Sequence, residues 1–223
     1  MNLTSAESDA IAARVAEVEA HAGLQVVAAV VAKSHSYPQL PWKAYALGAA
    51  LAGFAVVLLD ALRPDWVTEW TALLQTVAVL AVGAAAALLV VFVPAFARLF
   101  LRPPRRDLEV RRYAETLFLH RELFATRDRN GVLLLVSLFE RKVEILPDRG
   151  LAGRISPADW QHVVARMAVE LRRGRAADAL LAGLIAMEAM LVAKGFLPKA
   201  GTGNELPDRP IDEQGEADDE DAT

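Results

Sequence analysis

Hydrophobic and polar positions follow several different rhythms along the chain. From Ser5 to Ala22, Ile11, Val15 and Val18 recur at spacings of four and three, the signature of one buried helical stripe. Thr4 before it and Glu7 three residues on form a capping-box pattern, and Gly23 stops it. Leu24–Ala32 (LQVVAAVVA) is almost continuously apolar and rich in β-branched residues, which predicts a strand covered on both faces. Two much longer apolar runs follow. Residues 44–59 are apolar or Gly apart from Tyr45, and residues 71–97 carry only Gln75 and Thr76 as internal polar positions.

A helix crossing a hydrocarbon core of about 30 Å needs about 20 residues. The two runs therefore predict membrane-spanning helices at about 43–62 and 71–97, joined by a turn from Arg63 to Trp70. Trp42, Tyr45 and Trp66 suit interfacial aromatic positions, and Asp60 lies near the end of the first span. Small residues four apart, Gly48 with Ala52 and Gly83 with Ala87, suit close helix packing within or between chains.

Beyond the hairpin, 108–124 reads as a helix with Leu117 and Phe118 among its apolar residues, and Thr126–Gly131 as a turn in which Asn-Gly tolerates positive φ. Residues 132–139 (VLLLVSLF) form a second buried strand, Glu140-Arg141 reverses the chain, and Lys142–Ile145 alternates as a half-exposed strand. Ser156 caps a helix that has Pro157 at its first position and buries Trp160, Val163, Val164 and Met167. A last helix, about 176–193, carries Leu180, Leu184, Met187 and Leu191 on one stripe. Its length and Glu188 make it a core helix rather than a third span.

The expected organisation is thus a small α/β/α sandwich interrupted by a transmembrane hairpin. Residues 1–40 supply its first helix and strand, 42–100 the hairpin, 105–197 the remainder, and 198–223 an acidic, disordered tail.

Composition sharpens this picture. Hydrophobic residues make up 54% of the 223, and the excess is concentrated in 44–100. The net charge of −4 conceals a basic block after the second span (Arg98, Arg102, Arg105, Arg106, Arg111, Arg112) and an acidic end (213–221). Basic residues tend to remain cytoplasmic, so both termini are expected in the cytoplasm and the 63–70 turn outside, in an inner or plasma membrane. The basic block either fixes this topology or holds anionic headgroups. The N-terminus lacks the basic-then-apolar order of a cleavable signal, and without cysteine there is no disulfide or thiolate chemistry. Nothing points to nucleic acid; the expected partners are the bilayer and another membrane protein, and the sequence does not specify an oligomeric state.

Residues 130–145, NGVLLLVSLFERKVEI, resemble the signature of the TPM domain. Tyr113-Ala114, Asp148-Arg149-Gly150, the Trp160 helix, the Gly23–Val27 strand and Asn204-Glu205-Leu206-Pro207-Asp208 fit the same order. That family includes thylakoid-lumen proteins linked to photosystem II repair and many bacterial membrane proteins. The resemblance implies an α/β/α sandwich, and either acid phosphatase activity or divalent-cation binding through acidic loops. The chain departs from the family in lacking a signal peptide and in carrying Leu146–Gly150 where many members have a glycine-rich turn.

Hard cations take several oxygen ligands, and Asp128, Asn130 and Asp148, in loops at strand ends, are the candidates for calcium or magnesium. Ordinary turn chemistry explains the same residues. Arg127, Arg129, Arg141 and Arg149 either ring a phosphate or pair with Glu140, Glu144 and Asp148. His21, His35, His120 and His162 lack metal-ligand spacing, Ser137 reads as a packed hydroxyl, and no phosphatase motif or glycine-rich phosphate loop is present. Two functions follow: a membrane-anchored interaction or assembly module, and a weak metal-dependent phosphatase.

Overall fold

A computed structural model describes residues 2–63, 68–101, 103–198 and 204–215. The chain divides into two compact units. One is drawn from residues up to Ser36 and from Pro104 onward; the other is Tyr37–Pro103.

The first unit is built on a four-stranded sheet of order β3-β2-β1-β4, with β1 Gln25–Val31, β2 Gly131–Ser137, β3 Lys142–Pro147 and β4 Ile211–Glu213. β1 pairs in parallel with β2, from Gln25↔Gly131 to Val31↔Ser137, and with β4, while β3 runs antiparallel to β2. All seven residues of β1 and of β2 are buried. Successive side chains point to opposite faces of a strand, so such a run is stable only when both faces are covered. Val26, Ala28, Val30, Val132, Leu134 and Val136 enter one core, and Val27, Ala29, Val31, Leu133 and Leu135 the other.

Helix α1 (Ser5–Ala22) covers the first face through Ile11, Val15 and Val18. Its ends are where the sequence places them. Thr4 Oγ1 accepts from the Glu7 amide, the Glu7 carboxylate accepts from the Thr4 amide at 2.8 Å, and Gly23 closes the helix at φ 64°. The second face is covered by Pro103–His120, the fifth helix of the chain, through Val110, Ala114 and Leu117. Helices Pro157–Arg172 and Ala176–Ala193 complete the first face. The former carries the expected Ser156 cap and buries Val163 and Met167, with Trp160 and Val164 partly buried against the core. In the latter Leu180, Leu184, Met187 and Leu191 are fully buried, so this helix is a core element.

The second unit contains α2 (Gln39–Leu62), α3 (Glu69–Phe92) and the short α4 (Pro94–Ala97), which makes the helices above α5 (Pro103–His120), α6 (Pro157–Arg172) and α7 (Ala176–Ala193). α2 and α3 pack together where side chains are smallest. A Cβ on Gly48 would lie 2.9 Å from the Ala86 Cβ and 3.4 Å from the Gly83 Cα; one on Gly83 would press on the Tyr45 ring at 2.9 Å. The polar residues anticipated inside the runs also meet, Gln75 Nε2 donating to Asp60 Oδ1 at 2.7 Å. The remaining surface is apolar and bare: Trp42, Phe54, Leu62, Trp70 and Phe92 are 68–76% exposed. Only 6% of the most apolar stretch of α2 and 11% of that of α3 is buried.

Several sequence expectations need correction. The second apolar run is not one helix to Ala97. Pro94 cannot donate an amide and forces Val93 into extended backbone (φ −119°, ψ 93°), so α3 ends at Phe92 and α4 starts afresh. The segment from 198 onward is not wholly tail, because Ile211–Glu213 adds a strand to β1. The helix expected over 108–124 starts at Pro103 and ends at His120, with a 3₁₀ turn at Leu123–Ala125. Trp66, Arg102 and the acidic residues from Glu216 onward lie outside the described residues.

Candidate functional site

The three candidate ligands gather at one end of the sheet. Asp128 and Asn130 precede β2 and Asp148 follows β3; because these strands are antiparallel, both loops meet there. That end is the amino end of the parallel pair β1–β2, opposite the end where doubly wound sheets usually hold ligands.

The turn before β2 is built differently from the Asn-Gly reversal expected. The left-handed residue is Arg129 (φ 51°), and Gly131 simply opens the strand. Asn130 is a tether: its Nδ2 donates to the Gly23 carbonyl at 2.8 Å, and its amide donates to Thr126 Oγ1 at 3.1 Å. The β3 loop is pinned against the turn by the Gly150 amide, which donates to the Arg129 carbonyl at 2.8 Å. A side chain at Gly150 would collide with the Asp128 and Arg129 carbonyl oxygens, so this approach requires glycine.

Asp148 is occupied by cations of the chain itself. Its Oδ2 and Oδ1 accept from Arg129 Nε at 2.7 Å and Nη2 at 2.9 Å, and Oδ1 also accepts from the Arg149 amide at 2.7 Å. Burial raises the cost of its charge, but the bidentate guanidinium and the amide outweigh it and hold the carboxyl below the usual Asp range. Of the two readings of the arginines, pairing therefore holds for Arg129.

Asp128 and Asn130 instead line a cavity of about 230 Å³ together with Gly150, Arg154, Gly195 and Phe196. The residues that end α1 (Ala22, Gly23) and follow α7 (Gly195, Phe196) border it, so the partially negative ends of two helix dipoles adjoin the space. Arg154 balances them, with its guanidinium 3.8 Å above the Phe196 ring. Sequence reasoning missed Arg154 and Phe196; the one available signal was Gly195, which ends α7 in the left-handed region at φ 74°. Among the described residues, no group of three or more His, Asp or Glu side chains converges as a metal cluster. Asp128 and Asn130 are thus the oxygen donors of this cavity, and Asp148 faces Arg129.

At the opposite end, buried Glu140 organises the β2–β3 turn. It accepts from Ser137 Oγ and from the Ser34 amide at 3.2 Å, and Arg141 turns the chain at φ 49°. Ser137 is accordingly a packed hydroxyl that serves this carboxylate.

A mixed sheet covered by α1, α6 and α7 on one face and α5 on the other, interrupted by a helical hairpin, defines an α/β/α sandwich. The TPM domain pattern matches residues 67–190, more than half of the chain, and the chain belongs to the TPM domain family. The fold is similar to the NMR structure of the BA42 protein from the psychrophilic bacterium Bizionia argentinensis, at 14% identity, TM-score 0.57 and 94% coverage of both chains. No curated protein matches the chain. Three helices, α2, α3 and α7, are long and apolar enough to cross a membrane, which is compatible with a membrane protein.

Proposed function

We propose that this chain is a membrane-anchored TPM domain that acts as an interaction or assembly and maintenance module for membrane proteins. The observation that carries the reading is the bare apolar surface of α2 and α3. These are two 24-residue helices, each about 36 Å long at 1.5 Å per residue, matched to a hydrocarbon core and sealed to one another through Gly48, Gly83 and the Asp60–Gln75 hydrogen bond. In water this much exposed apolar area is untenable; in lipid it is the resting state. α7 meets the same length criterion, but its Leu and Met stripe is committed to the sheet. The distribution of arginines favours both termini in the cytoplasm, in an inner or plasma membrane.

The second reading, a weak phosphatase that uses a divalent cation such as calcium or magnesium, is favoured by the cavity lined by Asp128 and Asn130. A cation there would take those two side chains and the carbonyls around them; Asp148 would join only on giving up Arg129. Titration of the purified chain in detergent with calcium, manganese and magnesium separates the two readings, with NMR shifts and phosphate-ester hydrolysis followed in the same samples. The module reading expects no turnover. Saturable shifts at Asp128 and Asn130, with hydrolysis lost in Asp128→Ala, would establish the enzyme instead.

A further inference from the structure

The segment 204–213 crosses the side of β1 that β4 leaves bare, since β4 reaches only Ala29–Val31. Side chains substitute for the missing strand. Gln25 Oε1 accepts from the Glu205 and Leu206 amides at 2.7 and 3.0 Å, the Glu205 carboxylate accepts from the Arg127 amide at 3.0 Å, and Glu19 Oε1 accepts from the Val26 amide at 2.7 Å. Asp212 ties the far end, accepting from the Asn2 and Leu3 amides at 2.6 and 3.1 Å. One anchor differs from the others. The Asp208 carboxyl, which accepts from Asn204 Nδ2 at 2.6 Å, lies within hydrogen-bonding reach of the Glu19 carboxyl. Two carboxyl groups in contact hold together only with a proton between them.

We propose that residues 204–213 form a proton-controlled strap, in which a proton shared by Glu19 and Asp208 closes the segment over β1 and its loss releases it. Among the described residues, the surroundings of Glu19 offer no other neutralisation. β1 offers it the Val26 amide, and the strap offers Asp208; the basic residues nearby on α1, Arg14 and His21, are turned to Glu188 of α7. Among the described residues no Lys, Arg or His acts on it. Burial, opposed by the Val26 amide and reinforced by Asp208, pushes its carboxyl up to about 7, so the switch lies near neutrality. A carboxyl whose folded value is raised favours the closed form at low pH. The closed form weakens from about pH 4.5, where the released group ionises, until the proton is lost near pH 7. Opening uncovers the β1 edge between Gln25 and Ala28, backbone to which another strand can add.

Hydrogen exchange of the full chain in detergent micelles or nanodiscs tests this, with protection of the Glu205 and Leu206 amides read at pH 6 and pH 8 after correction for intrinsic chemistry. Protection should fall by up to about tenfold between the two, the linkage expected for a group moving from 7 to 4.5. Glu19→Gln and Asp208→Asn should each hold the strap closed at both pH values. The two act on opposite partners, so either suffices if the other fails to fold. Glu213→Ala, which removes the acceptor of Tyr113 and Arg121, should lower protection equally at both pH values. Equal wild-type protection at pH 6 and pH 8, or a pH dependence that persists in Glu19→Gln, would overturn the proposal.

Discussion

Gly48 and Gly83 face each other across the helical hairpin so closely that a Cβ on the first would sit 3.4 Å from the Cα of the second. In lipid there is no hydrophobic drive to bring helices together, and close backbone approach supplies the attraction. Gly48→Leu is therefore expected to destabilise the hairpin by about 1–3 kcal/mol, the usual range for overpacking. Gly53→Leu is the control, because a Cβ added there would meet nothing within 4 Å. Unfolding in mixed micelles, followed by circular dichroism, measures both.

The Asp60–Gln75 hydrogen bond is the polar partner of that contact. Gln75→Leu should weaken the hairpin by about 0.6–2 kcal/mol, and Asp60→Leu,Gln75→Leu together by less than the sum of the two single changes. The double-mutant cycle in the same micelles gives the coupling directly.

Asp148 and Arg129 set the geometry of the loop end. Arg129→Ala leaves a buried carboxylate with the Arg149 amide as its remaining anchor and is expected to lower the midpoint of denaturant titration. Because the Asp148 carboxyl is held below 3.8, its contribution is complete above that pH and is lost as pH falls through the lowered folded value. Asp148→Asn should flatten this acid limb of the stability profile.

Glu188 tests why α7 stays in the sandwich. It accepts from His21 Nδ1 at 2.6 Å and from Arg14, and these partners, His21 foremost, hold its carboxyl below the usual Glu range. Glu188→Leu should remove the α1–α7 tie and destabilise the sandwich by about 1–3 kcal/mol at pH 7, with little effect below the folded value of the carboxyl. Thermal melts of both proteins in a series of buffers descending from pH 7 provide the comparison.

Much of this fold is legible in the sequence because local chemistry and burial agree. Thr4 and Glu7 fix the start of α1, Ser156 fixes that of α6, and the unbroken apolar runs of β1 and β2 report a sheet covered on both faces. Glu188 marks α7 as a core helix because a charge at that position needs Arg14 and His21 beside it. What escaped is non-local. β4 is three residues, Ile-Asp-Glu, set in acid-rich and proline-rich sequence; it is too short to leave a period to read, and its partners, Asn2, Tyr113 and Arg121, are distant in the chain. The left-handed turn residue is Arg129 rather than Asn130 because the Asn130 side chain is drawn to Gly23, more than a hundred positions away. The candidate site was readable as a set of loops. Its division into a cavity with Asp128 and Asn130 and an ion pair with Asp148 required the pairing of β2 with β3.

The central claim, a domain carried on a membrane hairpin, is tested most directly by single-cysteine labelling. The chain has no cysteine of its own, so Ser8→Cys and Thr68→Cys each introduce one reporter. In sealed membrane vesicles of known orientation, an impermeant maleimide should reach Ser8→Cys from the cytoplasmic face only and Thr68→Cys from the opposite face only. Labelling of both from the same face, or release of the chain by alkaline carbonate, would contradict the account.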